Sequence, residues 1–406
     1  MECTHRLYNQ TYGSDFSVIL QSGTWGLPFE ALDIIYNQLF IPTITYACSS
    51  WGWASHKVHA KRKLNSAQRK ALILLTKAYK TAPTSAFQVI ARKPPIEMHI
   101  DYFSQISHFK WGEDVQINTG TITASDLERP TPLSLLPNPC ELPIQITDTD
   151  QENDIVIFTD GSKNERNVGC AFVVYSNNIE IAYQMFRLGE LSTVFQAEMF
   201  AILQALIWAN QHYSFTRITI CSDSASSLAT IKSTKAHPLS TAIKKSVLNS
   251  NNDYKFKWVM AHRGTSGNER ADHLAKHAAN NDQLIISYNK ISLNTIKGIL
   301  WSNMLNNWQQ KWNSNEGKIT YKFFPIIKDI FKYTWMKPCF WSTQFFTDHG
   351  KFAKYLHRFT EYINKECPTC KIEDGSTHYN YIFNCEFAKK SSNIEIARAR
   401  TVHDAK

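Results

Sequence analysis

The chain reads as an α/β protein: a mixed sheet flanked by helices, set between a helical amino-terminal region and a helical carboxy-terminal region. Three observations predict it. Between residues 154 and 281, apolar runs with strand character give way in turn to segments whose apolar residues recur at three and four. Asp160, Glu198, Asp223 and Asp272 each fall at the end of one of those strands or on the face of one of those helices. Outside this block the apolar patterns are helical, in LNSAQRKALILL before it and WSNMLNNWQQKW after it.

The elements follow in order. DIVIFTD is an apolar, β-branched run ending in Asp160; VGCAFVVYS and IEIAYQMFRL follow at hairpin spacing through Asn177 and Asn178. From Val194 the period changes, with Ala197, Phe200, Ala201, Gln204 and Ala205 on one helical face and Glu198 near the helix start. RITICSD is a buried strand, and Ser222 with Ser224 caps the helix SASSLATIKS. Pro238 opens a basic helix through Leu248, and YKFKWVMAH alternates as a fifth strand. After a loop with Gly264 and Gly267, a last helix is expected to carry Asp272 one turn from its cap.

Two carboxylates at strand ends and two on helices can therefore converge at one sheet edge. Acids gathered there repel one another unless a cation neutralises them, and hard divalent ions suit oxygen ligands. The ordered motifs TDGS, FQAE, SDS and HxGxxGNExAD, as they stand over roughly Asp154 to Ala279, resemble the type-one ribonuclease H family, in the version found in non-LTR retrotransposons.

The resemblance implies a ribonuclease H-like, five-stranded mixed sheet and two-metal hydrolysis of the RNA strand of an RNA–DNA hybrid, with paired Mg²⁺ or Mn²⁺ ions about 3.5–4 Å apart. It implies that Asp160 bridges both ions, that Asp272 completes the nucleophile-side ion, and that Glu198 with Asp223 holds the second. His262 takes the mobile-loop position, shuttling a proton or assisting product release. Val194 and Phe195 stand where bacterial members have an asparagine pair that reads 2′-hydroxyls. Recognition of the hybrid then falls to backbone amides around Gly161 and Ser162 and to Asn164, Gln196 and Asn268. The basic handle of cellular members is missing; Lys244 and Lys245 are its weak remnant.

The flanks fit a longer element protein. The 406 residues carry a formal charge of +9, which favours a polyanion partner. From Trp51 to Ile96 there is no Asp or Glu, while Lys61, Arg62, Lys63, Arg69 and Lys70 sit among other cations, as phosphate contact requires. This region, within residues 1–114, resembles the thumb that follows the polymerase core of non-LTR reverse transcriptases, most closely in YKTAPTSAFQVIARKPPI. No Tyr-x-Asp-Asp signature occurs, so polymerisation by this chain is not expected. Residues 115–153, punctuated by Pro130, Pro132, Pro137, Pro139 and Pro143, read as a linker before a domain at 154–281.

In the carboxy-terminal region, 282–406, Trp301, Leu305, Trp308 and Trp312 form one helical stripe that reads as a packing surface. Cys367, Cys370, His378 and Cys385 have the spacing of a tetrahedral Cys₃His zinc site and resemble the terminal segment of insect-type non-LTR elements, implying one structural Zn²⁺. The remaining cysteines are scattered, several in apolar runs, which suits reduced thiols inside a cell, nucleus or cytoplasm undecided. No run reaches the length of a membrane span. Two other readings stand beside the nuclease: a decayed remnant that binds nucleic acid without cutting it, and a domesticated host ribonuclease H. The complete carboxylate set argues against decay. Oligomeric state is not legible in the chain.

Overall fold

The computed structural model describes residues 27–117, 120–138, 144–147, 154–165, 167–260, 265–350, 353–357 and 359. The chain forms two compact units, residues 1–108 with 300–406 and residues 109–299.

In the first unit, helices α1 (Phe29–Ile35), α2 (Ile41–Thr45) and α3 (Cys48–Trp51) precede the long α4 (Val58–Thr76), α5 (Thr84–Ile90) and α6 (Ile96–Trp111). Leu72, Leu75, Phe87, Ile96 and Ile100 are fully or nearly fully buried in one cluster with Tyr36 and Phe40, the helical periodicity having placed them on facing stripes.

The second unit begins with a hairpin of β1 (Val115–Ile117) and β2 (Gly120–Ile122), followed by β3 (Gln145–Thr147). Its sheet is built from β4 (Ile155–Lys163), β5 (Val168–Ser176), β6 (Ile179–Leu188), α7 (Val194–His212), β7 (Arg217–Ser222), α8 (Ala225–Lys232), α9 (Pro238–Leu248), β8 (Asp253–Trp258), α10 (Ser266–Asn280) and β9 (Ile286–Tyr288). The strand order is β3-β8-β7-β4-β5-β6-β9. β4, β5 and β6 pair antiparallel, whereas β7 joins β4, and β8 joins β7, in parallel. The five expected strands form the body of this mixed sheet, and β3 and β9 extend its edges by three residues each. Those triplets are too short to show a period, which is why pattern reading passes over them.

Local chemistry explains the joints. Asn177 and Asn178 sit at φ 49° and 64°, the left-handed pair that a two-residue hairpin needs. Thr193 caps α7 in a reciprocal box with Gln196. One correction concerns α10: its cap is Thr265, so Asp272 lies two turns in, and Gly267 is inside the helix against the Phe158 ring instead of in the loop. α7 lies on one face of the sheet over Ile157, Phe172 and Ile220, and α10 on the other over Ala171 and Val173.

Returning to the first unit, α11 (Leu293–Asn313) buries Trp308 and Trp312 to 2% exposure beside Leu305, so the aromatic stripe is a packing face. α12 (Ile319–Phe323), α13 (Ile327–Ile330), α14 (Phe340–Thr347) and α15 (Ala353–His357) complete the unit. Among the described residues no helix is long and apolar enough to cross a membrane.

Candidate active site

Register brings the strand-borne acids together. Thr159 on β4 faces Ser222 on the parallel β7, so Asp160 and Asp223, each one residue farther on, stand side by side where that pairing stops. Asp223 lies just past the end of β7, but β4 continues to Lys163 because β5 still pairs with it, so Asp160 lies within its strand and not at the expected end. Gly161 admits the third acid: a Cβ there would lie 2.6 Å from the backbone nitrogen of Glu198, so only glycine lets α7 press this close. One ligand oxygen from each of Asp160, Glu198 and Asp223 then lies within 4.8 Å of the others. Asp160 and Glu198 are both only 6% exposed.

Hydrogen bonds hold Asp223 and the turn in which it sits. Asn268 on α10 donates its Nδ2 to Asp223 Oδ2 at 3.3 Å, the Trp258 indole donates to the Asp223 carbonyl at 3.0 Å, and Ser224 N–H donates to Ser222 Oγ at 3.2 Å. Asp272 stands outside the group of three and pairs with Lys276 one turn along, Nζ to Oδ2 2.7 Å.

Three carboxylates at this distance in a buried site cannot all ionise freely. Burial, then the charges of Asp223 and Asp272, push Asp160 up to about 7, against the Gly161 amide and Lys276. Burial, then Asp160 and Asp223, hold Glu198 well above the usual carboxylate range. Even the Cys170 thiol underneath is raised, by burial first and then by Glu198 and Asp160. Among the described residues, the buried Oε2 of Glu198 has no hydrogen-bond partner. An all-oxygen donor set with surplus negative charge and an orphaned carboxylate oxygen fits a hard divalent cation.

Other expected residues divide. Ser162 is half-buried on β4, and Asn164 is exposed, donating to Asn280 Oδ1 at 2.5 Å. Asn268 is 4% exposed and engaged with Asp223, so it holds one of the three gathered carboxylates directly. Gln196 departs from expectation. It is fully buried, its Oε1 accepting from Thr193 N–H at 2.9 Å and its Nε2 donating to the Lys290 carbonyl at 3.2 Å, because the cap of α7 needs it. Lys244 likewise turns inward, its ammonium on the Ser233 carbonyl at 2.5 Å. His262 lies outside the described residues, as do Cys367, Cys370, His378 and Cys385.

In the first unit, Arg62, Lys63 and Lys70 are exposed on α4. Lys61 leans toward the buried Glu97 at 3.7 Å. Arg69 donates to Thr84 Oγ1 at 2.7 Å, to the Ala82 carbonyl at 2.9 Å and to the Lys80 carbonyl, and burial lowers its pKa. It closes the turn between α4 and α5 and has little left for phosphate.

Lys276 and Trp258 were not among the expected site residues. The four-residue spacing from Asp272 to Lys276 is a legible helix pair; the Trp258 bond to a backbone carbonyl has no sequence signature.

Residues 152–280 match the family model for RNase H. Over 93 residues the chain is 33% identical to the retrovirus-related Pol polyprotein from type-1 retrotransposable element R1 4 of Nasonia vitripennis, covering 23% of this chain and 23% of that polyprotein. The chain thus aligns with about a quarter of the relative's length. With four acids in family order and three of them gathered where the central strands β4 and β7 stop pairing, residues 152–280 form a ribonuclease H domain of the kind carried by non-LTR retrotransposon polyproteins.

Proposed function

We propose that this domain cuts the RNA strand of RNA–DNA hybrids by metal-assisted hydrolysis, as part of a retrotransposon-derived protein that removes template RNA after first-strand synthesis. The observation that carries the reading is the trio of buried Asp160, buried Glu198 and half-buried Asp223, with ligand oxygens within 4.8 Å of one another and incompletely neutralised by the protein itself.

In this reading Asp160, Glu198, Asp223 and Asp272 hold two Mg²⁺ or Mn²⁺ ions. Ions bound there supply the charge that activates the attacking water and stabilises the leaving 3′ oxygen. The protein's part is to hold the ligands still: Asn268 and Trp258 fix Asp223, and Gly161 fixes the distance from β4 to α7. Lys276 pairs with Asp272 and would have to release that carboxylate for it to help hold an ion. His262 shuttles a proton or speeds product release.

Arg62, Lys63 and Lys70 form the nucleic-acid-binding face of a thumb-like region, gripping backbone phosphates without reading sequence. Cys367, Cys370, His378 and Cys385 hold one structural Zn²⁺. Metal analysis should find about one equivalent, lost in Cys367→Ser with Cys370→Ser. The protein works inside the cell, where hybrids form.

The deciding experiment is cleavage of a labelled RNA–DNA hybrid with Mg²⁺, with EDTA, and with Asp160→Asn. Metal-dependent cutting of the RNA strand alone is expected. Tight hybrid binding with no cutting under any divalent ion would overturn the catalytic reading and leave a binding remnant.

A further inference from the structure

We propose that Glu128 and Tyr288, on either side of the family-matched segment, are positioning residues for Glu198; this rests on the metal-assisted reading above. Glu128 lies in the stretch that composition marks as a spacer, yet residues 126–131 of that stretch are pinned. Leu127 bridges Ile291 in parallel, with Glu128 N–H donating to the Ile291 carbonyl at 2.9 Å and Ile291 N–H to the Asp126 carbonyl at 2.7 Å. Thr131 N–H donates to the Ala236 carbonyl at 3.1 Å.

This bridge carries the Glu128 carboxyl group inside, its side chain 7% exposed. An acid is costly there unless hydrogen-bonded. Tyr288 donates its hydroxyl to Oε1 at 2.5 Å, and His237 Nε2 lies 3.5 Å from Oε2. Burial, then Glu128, raise the Tyr288 pKa, so the phenol stays a donor.

The cluster closes over the first turns of α7. The Tyr288 ring packs 5.2 Å from Phe200, two residues beyond Glu198. The Lys290 carbonyl accepts from Ser192 Oγ at 3.3 Å, one residue before the cap Thr193, and from Gln196 Nε2 at 3.2 Å, three residues after it. Glu198 follows Gln196 by two residues, so the seating of this turn sets where its carboxylate stands. A metal ligand must be held within about 0.5 Å of its working position, which makes such outer contacts consequential.

The test uses the full chain as wild type and as Glu128→Ala, Glu128→Gln and Tyr288→Phe. Two readouts are taken: Mn²⁺ affinity of the protein alone, by water-proton relaxation, and the Mn²⁺ dependence and KM of hybrid cleavage. Glu128→Ala should weaken Mn²⁺ binding about tenfold and shift the activation curve equally, with KM for the hybrid unchanged. Tyr288→Phe should shift it less, and Glu128→Gln, whose amide oxygen still accepts from Tyr288, should restore most of the affinity. Wild-type Mn²⁺ affinity in both Glu128→Ala and Tyr288→Phe overturns the proposal, as does a lowered melting temperature with affinity untouched. If Glu128→Ala does not fold, Tyr288→Phe decides, since it removes one oxygen. If even wild type fails to cleave, the hydrolytic reading fails while the Mn²⁺ titration still judges this one.

Discussion

Each unit buries a polar cluster, and the two are built to opposite rules. In the helical unit, the fully buried Gln68 donates to the Tyr36 hydroxyl at 3.0 Å and the Pro94 carbonyl at 2.7 Å. It accepts from Gln88 Nε2 at 2.8 Å and Ile96 N–H at 3.1 Å. Its amide is used completely. In the sheet unit, Glu198 is 6% exposed, keeps one oxygen without a partner among the described residues, and faces two further acids. Removing polar groups from water is costly in both places. The first cluster recovers that cost inside the protein and so specifies the fold; the second leaves it unmet by the protein's own groups, which is the basis of the proposed cation site.

Substitution should separate the two. Asp160→Asn is expected to reduce hybrid cleavage by about a thousandfold or more, since it removes a metal ligand, while hybrid binding measured by anisotropy barely changes. The same change should raise the melting temperature of the metal-free protein at pH 8, because it relieves repulsion. Gln68→Ala should do the reverse: about 3 kcal/mol of stability lost in urea titration, with Tyr36, Gln88, Pro94 and Ile96 left short of a bond, and turnover per folded molecule unaltered. An unchanged urea midpoint would remove the structural half of the contrast.

Acidity sharpens it further. The folded pKa of Asp160, about 7, lies above its unfolded value near 3.9. Its contribution to stability is therefore fully present below about pH 4 and is lost as pH rises through about 7. In EDTA the melting temperature of the sheet unit should fall across that window, and saturating Mg²⁺ should flatten the curve. A metal-free curve that rises there would contradict the coupled-acid description. Gly161→Ala should cost about 1–3 kcal/mol and slow cleavage, because the new methyl must displace the Glu198 backbone. Lys276→Met is the smallest expected effect. Its ion pair is half exposed and contributes only about 0–1 kcal/mol, so melting should barely move, while the Mg²⁺ concentration for half-maximal activity falls slightly as Asp272 is released.

The gathering of Asp160, Glu198 and Asp223 was legible in the sequence for local reasons. These acids fall in strands or helices, or next to them, whose periods declare themselves over a few residues, and α9 spans Pro238–Leu248, the segment its proline and basic pattern mark out. The turn at Asn177–Asn178 is written in two residues tolerant of left-handed backbone. Less legible was which polar side chains stay in solvent. Arg69 and Lys244 belong to basic stretches, yet carbonyls in neighbouring turns claim them.

The sequence by itself determined the element order and the class of sheet, because period, caps and turns are settled within a few residues, and its ordered motifs singled out the four acids as candidates. Only the tertiary structure decided that Asp272 stands outside the group formed by the other three acids, that Gln196 serves a carbonyl 94 residues away, and that Glu128 is drawn inside. Those outcomes depend on which distant groups packing brings close, and no local pattern encodes that distance.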